Sequence, residues 1–242
     1  MSWTHSLVAA IVAAVAGGTT PPQEAVRPVL TPLPPSANVP TAVPTPLPSD
    51  DTAARVLATT ALRDRPGGAV VARLRATTEF GSPRIVPVVR REGRWLGVIA
   101  TERPNGALGW VRASAVRLIG EPERIDVDLS ARALRVVDDG HTVFRMKVDI
   151  GSASTPTPTG SFAVTDSLHG WGPYGCCILA LSGHQTKLAQ GWTGGDRLAV
   201  HGASTATGRG DAASLGCLRG DDADMRRLLR IARLGTRVRI RA

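Results

Sequence analysis

Ten of the 18 prolines fall within residues 21–48, and this clustering limits how much of the 242-residue chain can fold. Proline fixes φ and has no backbone N–H to donate. A segment about one-third proline therefore supports neither a helix nor the interior of a sheet. Residues 19–51 are expected to form an extended, disordered tether, which leaves about 190 residues, enough for two modest domains. Ahead of the tether, residues 7–16 form an apolar run followed by Gly17 and Gly18. A membrane span needs ~20 apolar residues, whereas a run of this length suits the core of a secretory signal. Residues 1–18 are read as a signal peptide, or as a signal anchor if uncleaved, and the chain as exported.

The net charge of +9 is unevenly placed. Residues 51–120 hold 12 arginines against 5 acids, while residues 121–242 hold 16 basic residues against 13 acids. A basic middle segment attracts polyanions of any kind. It has no aromatic residues interleaved in an RNA-binding pattern and it follows an export signal, so nucleic acid is excluded as a partner.

Hydrophobic patterning makes the folding part mostly β. Residues 69–74, 85–91, 95–100 and 107–112 are short runs of Val, Ile, Leu and Trp, separated by Pro- and Gly-bearing turns. Trp95-Leu96-Gly97-Val98, a Pro-Asn-Gly turn and Gly109-Trp110-Val111 resemble a bacterial SH3-like barrel, which would span residues 52–120. Residues 125–129 alternate apolar and polar, and residues 134–137 and 143–150 flank Asp138-Asp139-Gly140, a hairpin signal. Residues 161–166 and 178–181 are further strands. The glycine-rich stretch 167–196, with Trp171, Tyr174 and Trp192, otherwise reads as a long loop, and its aromatics either cover a site as a lid or pack on the sheet. A helix is expected after a cap at Asp221 or Asp222, with Met225, Leu228, Leu229 and Ala232 on one face and Gly235 as its stop. Residues 236–241 form a last strand.

Two segments carry chemistry. Leu198-Ala199-Val200-His201-Gly202 is a strand ending in a histidine, and Ser214-Leu215-Gly216-Cys217-Leu218-Arg219-Gly220 is a tight turn before the helix. A nucleophilic cysteine needs a base, oxyanion donors and an open position. His201 supplies a base, and glycines beside Cys217 let backbone amides turn toward an oxyanion. A nearby helix start would favour the thiolate.

A strand-end His-Gly, about a dozen further residues and then Ser-x-Gly-Cys-x-Arg is similar to the signature of the L,D-transpeptidase catalytic domain. The similarity runs through residues 121–242, including Pro-Thr-Pro-Thr-Gly at 156–160 and Gly-Pro-Tyr-Gly at 172–175. It implies a β-sandwich-like domain with one late helix, Cys217 as nucleophile and His201 as base. The Gly202 carbonyl would orient the imidazole, and the Gly216 and Cys217 amides would form the oxyanion hole. Ser214, Arg219, Tyr174 and His184 become candidate substrate-binding residues. It also implies a reaction: thioester formation at the third residue of a peptidoglycan donor stem peptide with loss of D-alanine, then capture by an acceptor stem's side-chain amine to give a 3→3 cross-link. Neither cofactor nor metal is required. The location would be the cell wall or periplasmic space, with anionic wall polymers as partners of the basic segment. Many family members have histidine in place of Leu215 and serine in place of Gly202.

Other readings stay open at this stage. Water in place of the amine would make the chain an L,D-carboxypeptidase, and an idle cysteine would make it a non-catalytic wall-binding protein. Arg219 either pairs with Asp221 or Asp222 or meets a substrate carboxylate. Cys176 and Cys177 are read as reduced structural thiols, with a vicinal disulfide between them as the alternative. With His169 and His184 they lack compact zinc spacing.

Overall fold

Short β-branched runs punctuated by turns give the chain a mostly β architecture. The computed structural model describes residues 52–120, 123–188, 195–203 and 210–242, all within one compact unit, Ala42–Ala242. The expected signal and tether, and Trp192, lie outside the described residues.

β1 (Thr52–Val56), β2 (Thr60–Arg63), β3 (Val70–Leu74), β4 (Ile85–Glu92), β5 (Trp95–Val98), β6 (Gly109–Arg112) and β7 (Val116–Gly120) form one sheet. Its order is β3-β2-β6-β5-β4-β1-β7, and every pairing is antiparallel. Alternate residues, among them Leu62, Leu74, Val86, Val88, Leu96, Val98 and Val111, build its core. The sequence pattern marks β3 to β6 but not β1, β2 and β7, where Ala, Thr and Arg dilute the apolar signal.

The second part contains β8 (Glu123–Asp128), β9 (Ala133–Asp138), β10 (His141–Lys147), β11 (Ile150–Gly151), β12 (Gly160–His169), β13 (Cys177–His184), β14 (Arg197–His201), β15 (Ala212–Ser214), β16 (Leu218–Arg219), α1 (Asp222–Ile231) and β17 (Arg237–Arg241). Eight of these strands form a mixed sheet in the order β10-β9-β8-β17-β12-β13-β14-β16, and β11 pairs with β15. The β9–β10 hairpin turns at Asp139 and Gly140, both at positive φ, as a two-residue turn of this hand requires. β12 changes partner along its length: Gly160 to Ala163 pair with β17, and Val164 to His169 with β13. Ile125, Val127, Leu134, Val136, Phe162, Leu179, Leu181, Leu198 and Val200 form the core. α1 closes it with Met225 and Leu228, both fully buried.

The structure corrects two expectations. The stretch 167–196 holds more strand than the expected run at 178–181, because β12 runs on to His169 and β13 occupies Cys177–His184 with seven consecutive buried residues. A strand covered on both faces loses the alternation that marks one in sequence. The helix ends at Ile231 rather than near Gly235.

Side chains tie the two sheets together. Asn105 donates to the His184 carbonyl at 2.7 Å and accepts from its amide at 2.9 Å. Thr78 bonds the buried Asp166, Glu79 pairs with Arg197, and Arg237 reaches the Val88 carbonyl at 3.3 Å.

Candidate active site

β14 and β16 run parallel, with Val200 opposite Leu218 and His201 opposite Arg219. Alternation sends His201 and Arg219 to one face, and Cys217, two positions before Arg219, returns to it. Residues sixteen positions apart in sequence therefore share one face of one strand pair.

The His201 side chain is almost wholly buried, and its Nδ1 lies 2.6 Å from the Gly202 carbonyl. A carbonyl only accepts, so Nδ1 carries the proton and Nε2 holds the free lone pair. Gly202 is itself fixed by its amide, which donates to the Cys177 carbonyl at 3.0 Å. Tyr174 packs edge-on against the imidazole, with centroids 4.9 Å apart and planes at 72°. Burial pushes the His201 pKa down, and the Arg219 charge acts in the same direction, against the opposing Gly202 hydrogen bond. The ring is therefore neutral, and able to accept a proton, at neutral pH.

Cys217 is half-buried and is the free cysteine. Burial pushes its pKa up, while a hydrogen bond from the Ala199 backbone and the Arg219 charge pull more weakly the other way. Its Sγ faces the Arg197 carbonyl at 3.9 Å, and no hydrogen bond joins it to His201. The resting pair is a neutral thiol and a neutral imidazole. The expected help from a helix start is absent, because β16 separates Cys217 from α1 and the first turn carries Asp222 and Asp224.

The turn around Cys217 places three of the assigned residues. Ser214 is buried and bonds within the turn: its hydroxyl donates to the Cys217 carbonyl at 2.5 Å and accepts from the Gly216 amide at 3.0 Å. It shapes the loop and does not face a substrate. The Gly216 amide is thereby taken, so it is no oxyanion donor in this geometry. Among the described residues the Cys217 amide has no acceptor. Arg219 bonds the Ala213 carbonyl at 3.1 Å, pairing with neither Asp221 nor Asp222. Its influence on both Cys217 and His201 is through charge.

Several braces escape the sequence reading. Gln185, buried, sends its side-chain amide to the carbonyls of Pro156 and Leu215, each at 3.1 Å. Thr155 donates to the Ser214 carbonyl at 3.1 Å and Thr157 to that of Gly216 at 2.9 Å. The Pro-Thr segment is thus a cradle for the cysteine turn. Asp149, also buried, accepts the amides of Gly210 and Asp211. Asp222 accepts the Cys176 amide at 3.1 Å and lies where a side chain on Gly202 would go.

A cleft of about 280 Å³ opens beside the sulfur, lined by Cys217, Tyr174, Trp171, Leu215 and Arg197 among others. His184 does not line it. Its Nδ1 lies 3.0 Å from Asp196 and its Nε2 2.7 Å from the Thr101 carbonyl, so it is a bridge between the sheets and no substrate contact. The expectation of reduced thiols at Cys176 and Cys177 is overturned, because the two are joined as a disulfide. Among the described residues no group of three His, Cys, Asp or Glu side chains is placed to hold a metal ion.

Residues 122–240 match the model of the YkuD family, the L,D-transpeptidase catalytic domain. This segment belongs to that family. Over 120 residues the chain is 32% identical to a Bacillus licheniformis protein bearing the name L,D-transpeptidase YkuD. That match covers 49% of this chain and 66% of the relative, just under two-thirds of its length. Among solved structures, an Enterococcus faecium L,D-transpeptidase mutant aligns at a TM-score of 0.42 with 17% identity, covering 64% of this chain and 74% of that one. L,D-transpeptidase 3 of Mycobacterium tuberculosis, bearing a faropenem-derived adduct, aligns at 0.43 with 16% identity, covering 56% and 73%. In the L,D-transpeptidase segment of the present chain, His201 lies on the β14–β16 pair, Gly202 directly follows β14 and Cys217 directly precedes β16.

Proposed function

We propose that the chain is an exported L,D-transpeptidase that forms 3→3 cross-links between peptidoglycan stem peptides, with Cys217 as nucleophile and His201 as its base. The observation that carries this reading is a neutral thiol lining an open cleft, on the same strand pair as a neutral, Gly202-anchored imidazole. A thiol disfavoured as an anion reacts by giving its proton to Nε2 as it attacks. The reading requires the Cys217 side chain to turn from the Arg197 carbonyl, 3.9 Å away, toward the His201 ring.

In the first step the sulfur bonds to the carbonyl carbon of the donor's third residue while its proton passes to His201. The Cys217 amide meets the developing oxyanion. The C–N bond then breaks, and D-alanine leaves with the proton held by Nε2, giving a thioester. In the second step the acceptor's side-chain amine attacks, His201 takes its proton, and the thiol is restored as the new amide forms. The described part of the 52–120 module carries 12 arginines. It serves in this reading as an SH3-like element that meets anionic wall polymers.

Incubation of the purified chain with disaccharide-tetrapeptides, followed by mass spectrometry, tests the proposal. The expected product is a dimer that has lost one D-alanine, absent with Cys217→Ala. Tripeptide alone would assign hydrolysis instead. Neither product, together with no carbapenem adduct on Cys217, would overturn catalysis.

A further inference from the structure

Large apolar side chains left exposed are scattered on most surfaces and informative where they converge. Four converge here. Phe80 (48% exposed), Trp171 (60%), Leu188 (42%) and Leu215 (42%) all line the cleft that holds Cys217. Three belong to the L,D-transpeptidase segment. Phe80 does not, since it sits between β3 and β4 of the other sheet.

The turn that presents Phe80 is braced on every side. The Thr78 amide donates to the Ser82 carbonyl at 2.9 Å, the Gly81 amide returns to the Thr78 carbonyl at 3.2 Å, and Gly81 takes the positive φ that closes the turn. Beneath it, the buried Arg84 bonds the carbonyls of Arg75 and Thr77 and pairs with Glu102 at 2.9 Å. Thr78 and Glu79, immediately before Phe80, bond Asp166 and Arg197 across the sheets. Arg197 is also the residue whose carbonyl faces the Cys217 sulfur. The ring is therefore held against the cleft by contacts to the strand that carries the base, while nearly half of it stays uncovered.

We propose that Phe80 is a specificity residue of the acyl-donor site, a role that rests on the acyl-transfer reading above. The donor residue whose carbonyl meets Cys217 must lay its own side chain along the cleft wall. A wall of Phe80, Leu188 and Leu215 suits the methylene chain of a diamino acid and leaves its polar end to solvent. The 52–120 module is then part of the catalytic unit and supplies one wall of the substrate site.

The test has two arms. In the first, Cys217 is alkylated with N-hexyl iodoacetamide and with iodoacetamide, and the ratio of the two rates is read by mass spectrometry. Phe80→Ala is expected to lower this ratio about tenfold, Phe80→Leu to retain most of it, and Val70→Ala, on an exposed strand position of the same module, to leave it unchanged. In the second arm, kcat/KM is compared for donors with lysine or alanine as third residue, and Phe80→Ala is expected to erase the preference for lysine. A ratio unmoved by Phe80→Ala but lowered by Leu215→Ala would overturn the role of Phe80. A ratio that falls in a chain that consumes no stem peptide would uphold the wall and overturn the acyl-transfer reading.

Discussion

The side-chain amide of Gln185 occupies the space a Cβ on Gly216 would need, and from there it donates to the Leu215 carbonyl at 3.1 Å. Gly216 has φ near +118°, a conformation that L side chains rarely adopt. The residue next to the nucleophile is thus glycine for two reasons, its backbone angle and its neighbour. Gln185 acts on the thiol only through the loop, which makes it a positioning residue.

Removing that amide takes the donor from the buried Thr155 carbonyl, 3.3 Å away, and from the part-buried carbonyls of Pro156 and Leu215. Gln185→Ala is expected to destabilise the fold by about 1–3 kcal/mol and to reduce kcat/KM mainly through kcat, since the nucleophile loses its fixed place while the cleft walls remain. Gln185→Glu supplies no donor and should resemble alanine. Urea unfolding and steady-state kinetics check both. An unchanged kcat in a destabilised variant would make Gln185 purely structural.

Asp222 and Gly202 form a second such pair. An added Cβ on Gly202 would meet the Asp222 carboxylate and lie 2.9 Å from the Cys176 amide. Gly202→Ser, which restores the residue common in the family, is therefore expected to cost about 1–3 kcal/mol here through overpacking. Combining it with Asp222→Ala should recover part of that loss, with a coupling above about 0.5 kcal/mol in a double-mutant cycle. Additive effects would show that the two positions do not compete for space.

The strands with alternating or turn-bounded patterns, such as β4, β8 and the β9–β10 hairpin, were legible in the sequence, because one face of each is covered and the turn residues are specific. β13 was legible only at its centre, since burial on both faces removes the alternation. Cys217, His201 and Gly202 stand out by residue type and spacing. Gln185, Asp149 and Asp222 do not, because their partners are backbone groups far along the chain and nothing in local composition signals such bonds. Ser214 and His184 show the converse. Their residue types suit substrate contact, yet both are already engaged within the fold.

The joined state of Cys176 and Cys177 predicts a thiol count. Unreduced protein should yield one thiol per chain to Ellman's reagent in denaturant, and reduced protein three. Three thiols without reduction would return the pair to the reduced state.

The acid limb of the pH profile belongs to His201. Its pKa is pushed below the ordinary 6.5 by burial, so raising the pH through that lower value frees Nε2 and raises kcat/KM, with the midpoint of the limb below 6.5. Stability follows the same sign. Between the folded pKa and 6.5 the unfolded chain binds more protons than the folded one, so the contribution of the neutral ring is full above 6.5 and is lost as the pH falls through that window. His201→Asn should flatten this part of the stability curve and lower kcat/KM by about 10²–10⁴-fold. Cys217 sets the opposite expectation. With its pKa raised above 9.0, its alkylation in the asparagine variant should stay slow until the pH exceeds 9. An acid limb with its midpoint above 6.5 would mean that burial does not depress His201, and alkylation of Cys217 in the unsubstituted chain that stays rapid well below pH 6.5 would mean a resting thiolate–imidazolium pair instead of two neutral groups.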